Sequence, residues 1–144
     1  MNHWLFLFRL KQKRVMQAIA EAEARTSGEI RVYVTHRKCA DAFEEARKKF
    51  QSLGMTGTKH RNGVLIFIAP RSTNFAVIGD KGVHDKCGET FWREVADAMS
   101  AELRAGRLTE ALVHAVETTA ALLAQHFPPD SGTGNELPDQ IQTD

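Results

Sequence analysis

The sequence predicts an α/β fold: a three-layer α/β/α sandwich, with a small mixed sheet and helices on both of its faces. Three observations lead there. Val64–Ala69, VLIFIA, is apolar at every position, as a strand covered on both faces must be. Stretches with apolar residues at helical spacing stand before and after the strand-like runs. The link PRSTN between Ala69 and Phe75 is too brief for a crossover, so the strands it joins run antiparallel.

The elements follow in order. From about Leu10 to Arg25 the apolar positions Val15, Met16, Ile19 and Ala22 recur at helical spacing among good helix formers. Thr26-Ser27-Gly28 ends that helix. Glu29 to His36, EIRVYVTH, alternates Ile30, Val32 and Val34 with Arg31, Tyr33 and Thr35. This pattern predicts a strand with one face more buried than the other. Asp41 is placed to cap the next helix, with Phe43, Ala46 and Phe50 as its inward stripe. Glycines then break the chain through GMTGTKHRNG, from Gly54 to Gly63. The VLIFIA strand follows, then a strand from Phe75 to Ile78. After a turn at Gly82, Phe91, Trp92, Val95, Met99 and Leu103 mark a helix that Gly106 stops. Leu108, Leu112, Val116 and Leu123 mark the last helix. The first two strands, joined through a helix, are expected to lie parallel by the right-handed crossover rule.

With 144 residues the chain is sized for one domain. Residues 1–14 form a basic, partly apolar head expected to continue into the first helix. The α/β domain takes 15–128. The tail, 129–144, is acidic, rich in Gly, Ser, Gln and Pro, and expected to be disordered. A formal net charge of +1 argues against nucleic-acid binding. Two cysteines, Cys39 and Cys87, make no disulfide framework and suit a reducing, cytoplasmic setting. The head's apolar run, Trp4 to Phe8, is too short for a signal peptide, and its basic residues follow rather than precede it. No stretch approaches the ~20 apolar residues of a membrane span. The aromatic-then-basic order of residues 4–14 suits peripheral contact with an anionic membrane. More often such a head is the first turn of a helix packed on its own domain.

The polar brackets around the apolar strands carry the functional question. Parallel first and second strands would put Glu29 and Arg61-Asn62-Gly63 at one end of the sheet. The antiparallel third strand would bring Gly79-Asp80-Lys81-Gly82 to that end too. The next helix begins there, and free N–H groups at a helix start favour an anion. Two readings stand side by side. Asn62-Gly63 and Asp80 are what tight turns use, with ion pairing around them. The same residues also make a candidate site. Asp80, Glu29 and Arg61 are its catalytic candidates, and Arg61, Asn62, Gly63 and Lys81 its anion-binding candidates. Glu29 and Asp80 are the candidate ligands for calcium or magnesium.

His36-Arg-Lys-Cys39 and His84-Asp-Lys-Cys87 together hold a tetrahedral zinc set. The expected topology separates them to opposite ends of the sheet, farther than zinc bonds of about 2.0–2.3 Å can bridge. His60, His114 and His126 have no partner at ligand spacing. No phosphate-binding glycine loop, nucleophile elbow or Cys-x-x-Cys is present.

Several of these stretches, taken in order, resemble the TPM domain family, a phosphatase-like domain of thylakoid-lumen proteins and their relatives. The resemblance spans roughly Val15 to Pro128. It is carried by AEARTSGEIRVYV (Ala22–Val34), RNGVLIFIA (Arg61–Ala69), FAVIGDKGV (Phe75–Val83), Phe91-Trp92 and the ending HFP. It implies an α/β/α sandwich, and for some members calcium binding and acid phosphatase activity. Many members carry Asp-Asn-Gly-Val-Leu, followed later by Gly-Tyr-Gly-Leu-Glu. Arg61 stands where that aspartate would be, and GDKGVHD replaces the second motif. A cation in place of a carboxylate weakens a calcium site, which wants about 6–8 oxygens. This chain resembles the signal-less branch of the family. Three functions follow as expectations: a binding module for an anion, cation or protein partner, a metal-dependent phosphomonoesterase, or a structural domain.

Overall fold

The computed structural model describes residues 3–129 and 141–144, without the side chains of 3–10. Helix α1 (His3–Arg25) leads into β1 (Glu29–Val34), α2 (Ala42–Ser52), β2 (Gly63–Ala69) and β3 (Asn74–Gly79). Helices α3 (Lys81–Arg104) and α4 (Leu108–His126) follow, and a two-residue strand β4 (Gln142–Thr143) ends the described chain. The sheet order is β3-β2-β1-β4. Strands β1 and β2 are parallel, with Glu29 opposite Gly63 and Val34 opposite Ile68. Strand β3 is antiparallel to β2, with Gly79 opposite Val64.

Strand β2 is buried along its whole length because it faces a core on both sides. Val64, Ile66 and Ile68 join Ile30, Val32 and Val34 against α1, α3 and α4. Leu65, Phe67 and Ala69 join Tyr33 against α2, through Ala42, Ala46 and Phe50. The sandwich is therefore lopsided, with a three-helix layer on one face and α2 on the other.

Four local expectations need correcting. The odd-numbered side of β1 is not the wetter one: all six residues of the strand are buried. Tyr33 stacks on Phe67 at 5.6 Å, with the Lys49 ammonium 4.8 Å above its ring. Arg31 is only 5% exposed. Burial lowers its pKa, and the charges of Glu29 and Glu23 oppose that.

In α2, Phe43 is 61% exposed rather than inward. Asp41 does cap the helix, accepting the Glu44 N–H at 3.1 Å. The helix starts at Ala42, and Ala42, Ala46 and Phe50 take the buried i, i+4, i+8 line. Helix α3 begins earlier than expected, at Lys81, and Gly88 at φ +70° breaks it into two helical parts.

The tail expected to be disordered divides. Its portion 130–140 lies outside the described residues, but Ile141 is buried and Gln142–Thr143 pair in parallel with Tyr33–Val34. Membrane contact through residues 4–14 rests mainly on side chains outside the described residues. Among the described residues, no helix is long and apolar enough to cross a membrane.

The two phenylalanines of α2 should separate cleanly. Phe50→Ala is expected to cost about 3–5 kcal/mol in urea unfolding. Phe43→Ala should stay within about 0.5 kcal/mol of the parent. Similar losses at both positions would contradict this orientation of α2.

Candidate functional site

The register brings the three polar brackets to one end of the sheet. Glu29 opens β1 opposite Gly63, the first residue of β2, and Asp80 directly follows the end of β3. The Asp80 N–H donates to the Gly63 carbonyl at 2.9 Å.

Each bracket residue then has a defined set of partners. Arg61 donates to both carboxylate oxygens of Asp80, Nε to Oδ2 at 2.6 Å and Nη2 to Oδ1 at 2.8 Å. A two-pronged guanidinium–carboxylate pair of this kind fixes geometry as well as charge. The Asp80 side chain is 5% exposed, while that of Arg61 is 49% exposed. The hydrogen bonds from Arg61, and then its charge attraction to Asp80, raise the arginine's pKa. Arg61 holds φ +51°, a left-handed backbone unusual for a side chain of this size. That turn aims its carbonyl at α3, where the Gly82 N–H donates to it at 2.8 Å.

The start of α3 is thereby closed. The Lys81 N–H donates to Asp80 Oδ1 at 2.8 Å, and the Val83 and His84 N–H groups donate to the Asp80 carbonyl. The N–H groups of Lys81, Gly82, Val83 and His84 at this helix start are all engaged within the chain. Gly82 is required by crowding. A Cβ there would lie 2.4 Å from the His60 carbonyl oxygen and 2.6 Å from that of Arg61.

Asn62 is 1% exposed and ties the two strand entrances together. Its backbone N–H donates to Thr58 Oγ1, and its side-chain amide donates to Ser27 Oγ, both at 3.2 Å. Gly63 passes tightly under Met55, whose carbonyl oxygen would be 3.1 Å from an added Cβ. Glu29 is buried and its charge acts on Arg31, with strand β2 standing between Glu29 and β3. Lys81 is exposed and, among the described residues, makes no ion pair. The two His-x-x-Cys pairs lie apart as the topology requires. His36 and Cys39 follow the far end of β1, and His84 and Cys87 ride on α3 beside the polar brackets.

A second polar cluster was missed from sequence. At the carboxyl end of β1 the Asp144 side chain accepts three hydrogen bonds. Tyr33 Oη donates at 2.8 Å to Oδ1, while Thr35 Oγ1 and the His36 N–H donate to Oδ2, each at 2.7 Å. Arg37 stands 4.0 Å away. Burial pushes Asp144 upward, but the donors Thr35, His36 and Tyr33, with the Arg37 charge, outweigh it and leave its pKa lowered. Burial, reinforced by Asp144, pushes the Tyr33 phenol up to about 12. Nothing in the tail's composition announces this contact. The one available signal is Ile141, an apolar residue isolated in a polar stretch.

The fold and the closed polar end define an α/β/α sandwich domain of lopsided build. The TPM domain family matches residues 6–122, and the chain belongs to that family. The chain is similar to the BA42 protein from the psychrophilic bacterium Bizionia argentinensis, solved by NMR. The two share 35% identity at a TM-score of 0.87, over 93% of this chain and 92% of that one. It also shares its fold with the N-terminal domain of a protein from P. gingivalis, at 19% identity and a TM-score of 0.65. That match covers 81% of this chain and 76% of the other. The N-terminal domain of cg2496 from Corynebacterium glutamicum shows the same fold at 13% identity and a TM-score of 0.61, over 88% and 76%. A comparison with curated proteins finds no match.

Two outcomes test this description. Gly82→Ala should destabilise the fold by about 1–3 kcal/mol, because the added carbon meets backbone on two sides. A parent-like urea midpoint would contradict the contact. The lowered Asp144 pKa means that the charged form favours docking. Docking of Ile141–Asp144 should therefore persist from neutral pH down past the ordinary aspartate value of 3.8, and be lost as Asp144 protonates below it. NMR shifts of residues 141–144 followed through an acid titration report this.

Proposed function

We propose that this TPM domain acts as a binding module rather than as a hydrolase. Its partner would be a protein or a phosphorylated ligand, met at the polar end of the sheet by the exposed faces of Arg61 and Lys81. The observation that carries this reading is the Arg61–Asp80 pair. A carboxylate held by a guanidinium and by the Lys81 N–H has little freedom to ligate a metal or carry a proton. Calcium and magnesium both need several oxygen ligands, about six or more in total. Among the described residues, no three His, Cys, Asp or Glu side chains group to hold a metal ion. The residues present do not fit a hard cation, and no step of the reading passes through one. Attraction of an anion to Arg61 is reduced by Asp80, so Lys81 contributes the larger share of uncompensated positive charge.

A second reading, a phosphomonoesterase, draws on the family alone, whose designation includes phosphatase. Positioning and charge stabilisation are most of what phosphoryl transfer requires. One experiment separates the readings. Hydrolysis of a generic phosphomonoester is measured with and without calcium or magnesium, on the parent and on Arg61→Asp. The parent is expected at the level of the buffer blank under every condition. Metal-stimulated turnover by the parent, abolished in Asp80→Asn, would establish the hydrolase instead. Arg61→Asp should gain calcium affinity of about fivefold or more by titration calorimetry if Arg61 is what silences a metal site.

A further inference from the structure

The sheet has two borders. Strand β4 pairs along one of them, beside β1, and β3 forms the other. We infer that the outer edge of β3 is a self-association surface, where two copies of this chain join antiparallel about a two-fold axis at Val77. This surface is independent of the reading given above to Arg61 and Lys81.

Strand β3, NFAVIG, lacks the usual guards of an edge, with no charged residue and no proline. Phe75, Val77 and Ile78 are half-buried, and among the described residues no strand pairs with the outer side. The residues flanking 130–140 lie against β1 instead: the Phe127 carbonyl accepts the Ser27 N–H just before β1, and Gln142 pairs with Tyr33. The unmatched groups of β3 can be named. The Asp80 N–H donates to the Gly63 carbonyl, one step beyond the Gly79–Val64 pair. Successive residues of an antiparallel strand face alternate sides. Asn74, Ala76 and Ile78 therefore face β2, and Phe75, Val77 and Gly79 turn their N–H and carbonyl groups outward. The Phe75 N–H donates to Asn74 Oδ1 at 3.0 Å, a local bond that suits an outward N–H.

The occupant that matches this edge is the edge itself. With the axis at Val77, the outward residues meet as Val77 with Val77, and Phe75 with Gly79 of the second copy. Each such pair exchanges its N–H and carbonyl groups. Side chains match in size as well. On the three-helix face, Phe75 of one copy lies opposite Gly79 of the other, where the Trp92 ring covers the missing side chain and receives the phenyl group. On the α2 face, Ile78 lies opposite Ala76, again large against small. No like charges are brought together along the strand, because it carries none.

Helix α2 supports the same arrangement. It packs across β3 and β2. A two-fold axis at the edge of β3 therefore sets the two copies of α2 about 10 Å apart, a distance at which helices pack. They run antiparallel, and their charges suit that. Asp41, Glu44 and Glu45 stand in the first half of α2 and Arg47, Lys48 and Lys49 in the second, so each acidic half lies along the other copy's basic half. The helical wheel puts Phe43 and Lys49 on opposite flanks of the buried line Ala42, Ala46 and Phe50. Lys49 lies over Tyr33 of β1, so Phe43 occupies the flank at the β3 border. Phe43 is the one exposed large hydrophobic residue among those described, and a second α2 alongside would cover it.

Sedimentation of the full chain from about 10 µM to about 1 mM should show a monomer–dimer equilibrium. Hydrogen exchange at the Val77 and Gly79 N–H groups should slow as dimer forms. In a mixture of isotope-labelled and unlabelled chains, NMR should detect the Ala76 α-proton of one copy beside the Ile78 α-proton of the other. Val77→Pro removes only an outward N–H, a place where edge strands tolerate proline. It should keep the folded NMR spectrum and weaken the dimer by about tenfold or more. Phe43→Glu, at an exposed side chain, should do the same. If Val77→Pro does not fold, Phe43→Glu and the Ala76–Ile78 contact decide. The inference is overturned by a chain that stays single at about 1 mM. A dimer without the Ala76–Ile78 contact, or a folded variant as dimeric as the parent, overturns it too.

Discussion

A strand with no polar side has to be enclosed, and β2 is such a strand. Once Val64–Ala69 lies in the middle of the sheet, both of its faces need cover, and one layer of helices cannot supply it. The three-helix layer of α1, α3 and α4 takes the even-numbered side, and α2 takes the odd. The parallel pairing with β1 and the tight return to β3 follow from the same demand, because they are the two ways of keeping β2 away from an edge. The polar residues that bracket the strands consequently fall at the two ends of the sheet. Both clusters described above lie at strand ends for that reason.

At the amino ends of β1 and β2 the polar residues mostly satisfy one another. Arg61 joins the loop before β2 to the start of α3 twice, through its guanidinium and through its carbonyl. The left-handed backbone at Arg61 and the absence of a side chain at Gly82 are two halves of one contact. Asn62 does the same between the entrances of β1 and β2. Buried polar groups that bond each other hold elements in register, since any slip leaves them unpaired in a poorly solvated place. This end of the sheet therefore has a clear structural role, and Lys81 and the outer face of Arg61 remain turned to solvent.

Much of this was legible in the residues. The unbroken apolar run of β2 revealed its central place. The five-residue link before Phe75 revealed the antiparallel return, and from these the meeting of Glu29, Arg61 and Asp80 at one end followed. What was hidden depended on distant contacts. The pattern of β1 reads as half-exposed because Arg31 and Thr35 are polar, yet α2, Phe67 and neighbouring charges enclose that side. Phe43 looks like a core residue by composition, but the cap at Asp41 sets the rotation of α2 and turns Phe43 outward. The meeting of Asp80 and Arg61 at one end was foreseen, though not that they would grip each other. That depended on the positive φ at Arg61, which no arginine announces. The docking of Asp144 was invisible because a two-residue strand has no periodicity to detect.

The placement of β4 also bears on how the chain avoids self-association while it folds. A strand such as EIRVYV, set at the border of a sheet, offers a row of unmatched backbone groups to any other chain nearby, and natural proteins blunt such borders. Here the blunting segment lies far downstream of β1, after the other described elements. During synthesis β1 would precede its cover by more than a hundred residues. The buried arginine in the middle of β1 offers an interim safeguard, since a charged side chain is a poor guest in the stacked sheets of an aggregate. Arg31, costly as it is to enclose in the finished molecule, would thus guard the nascent one.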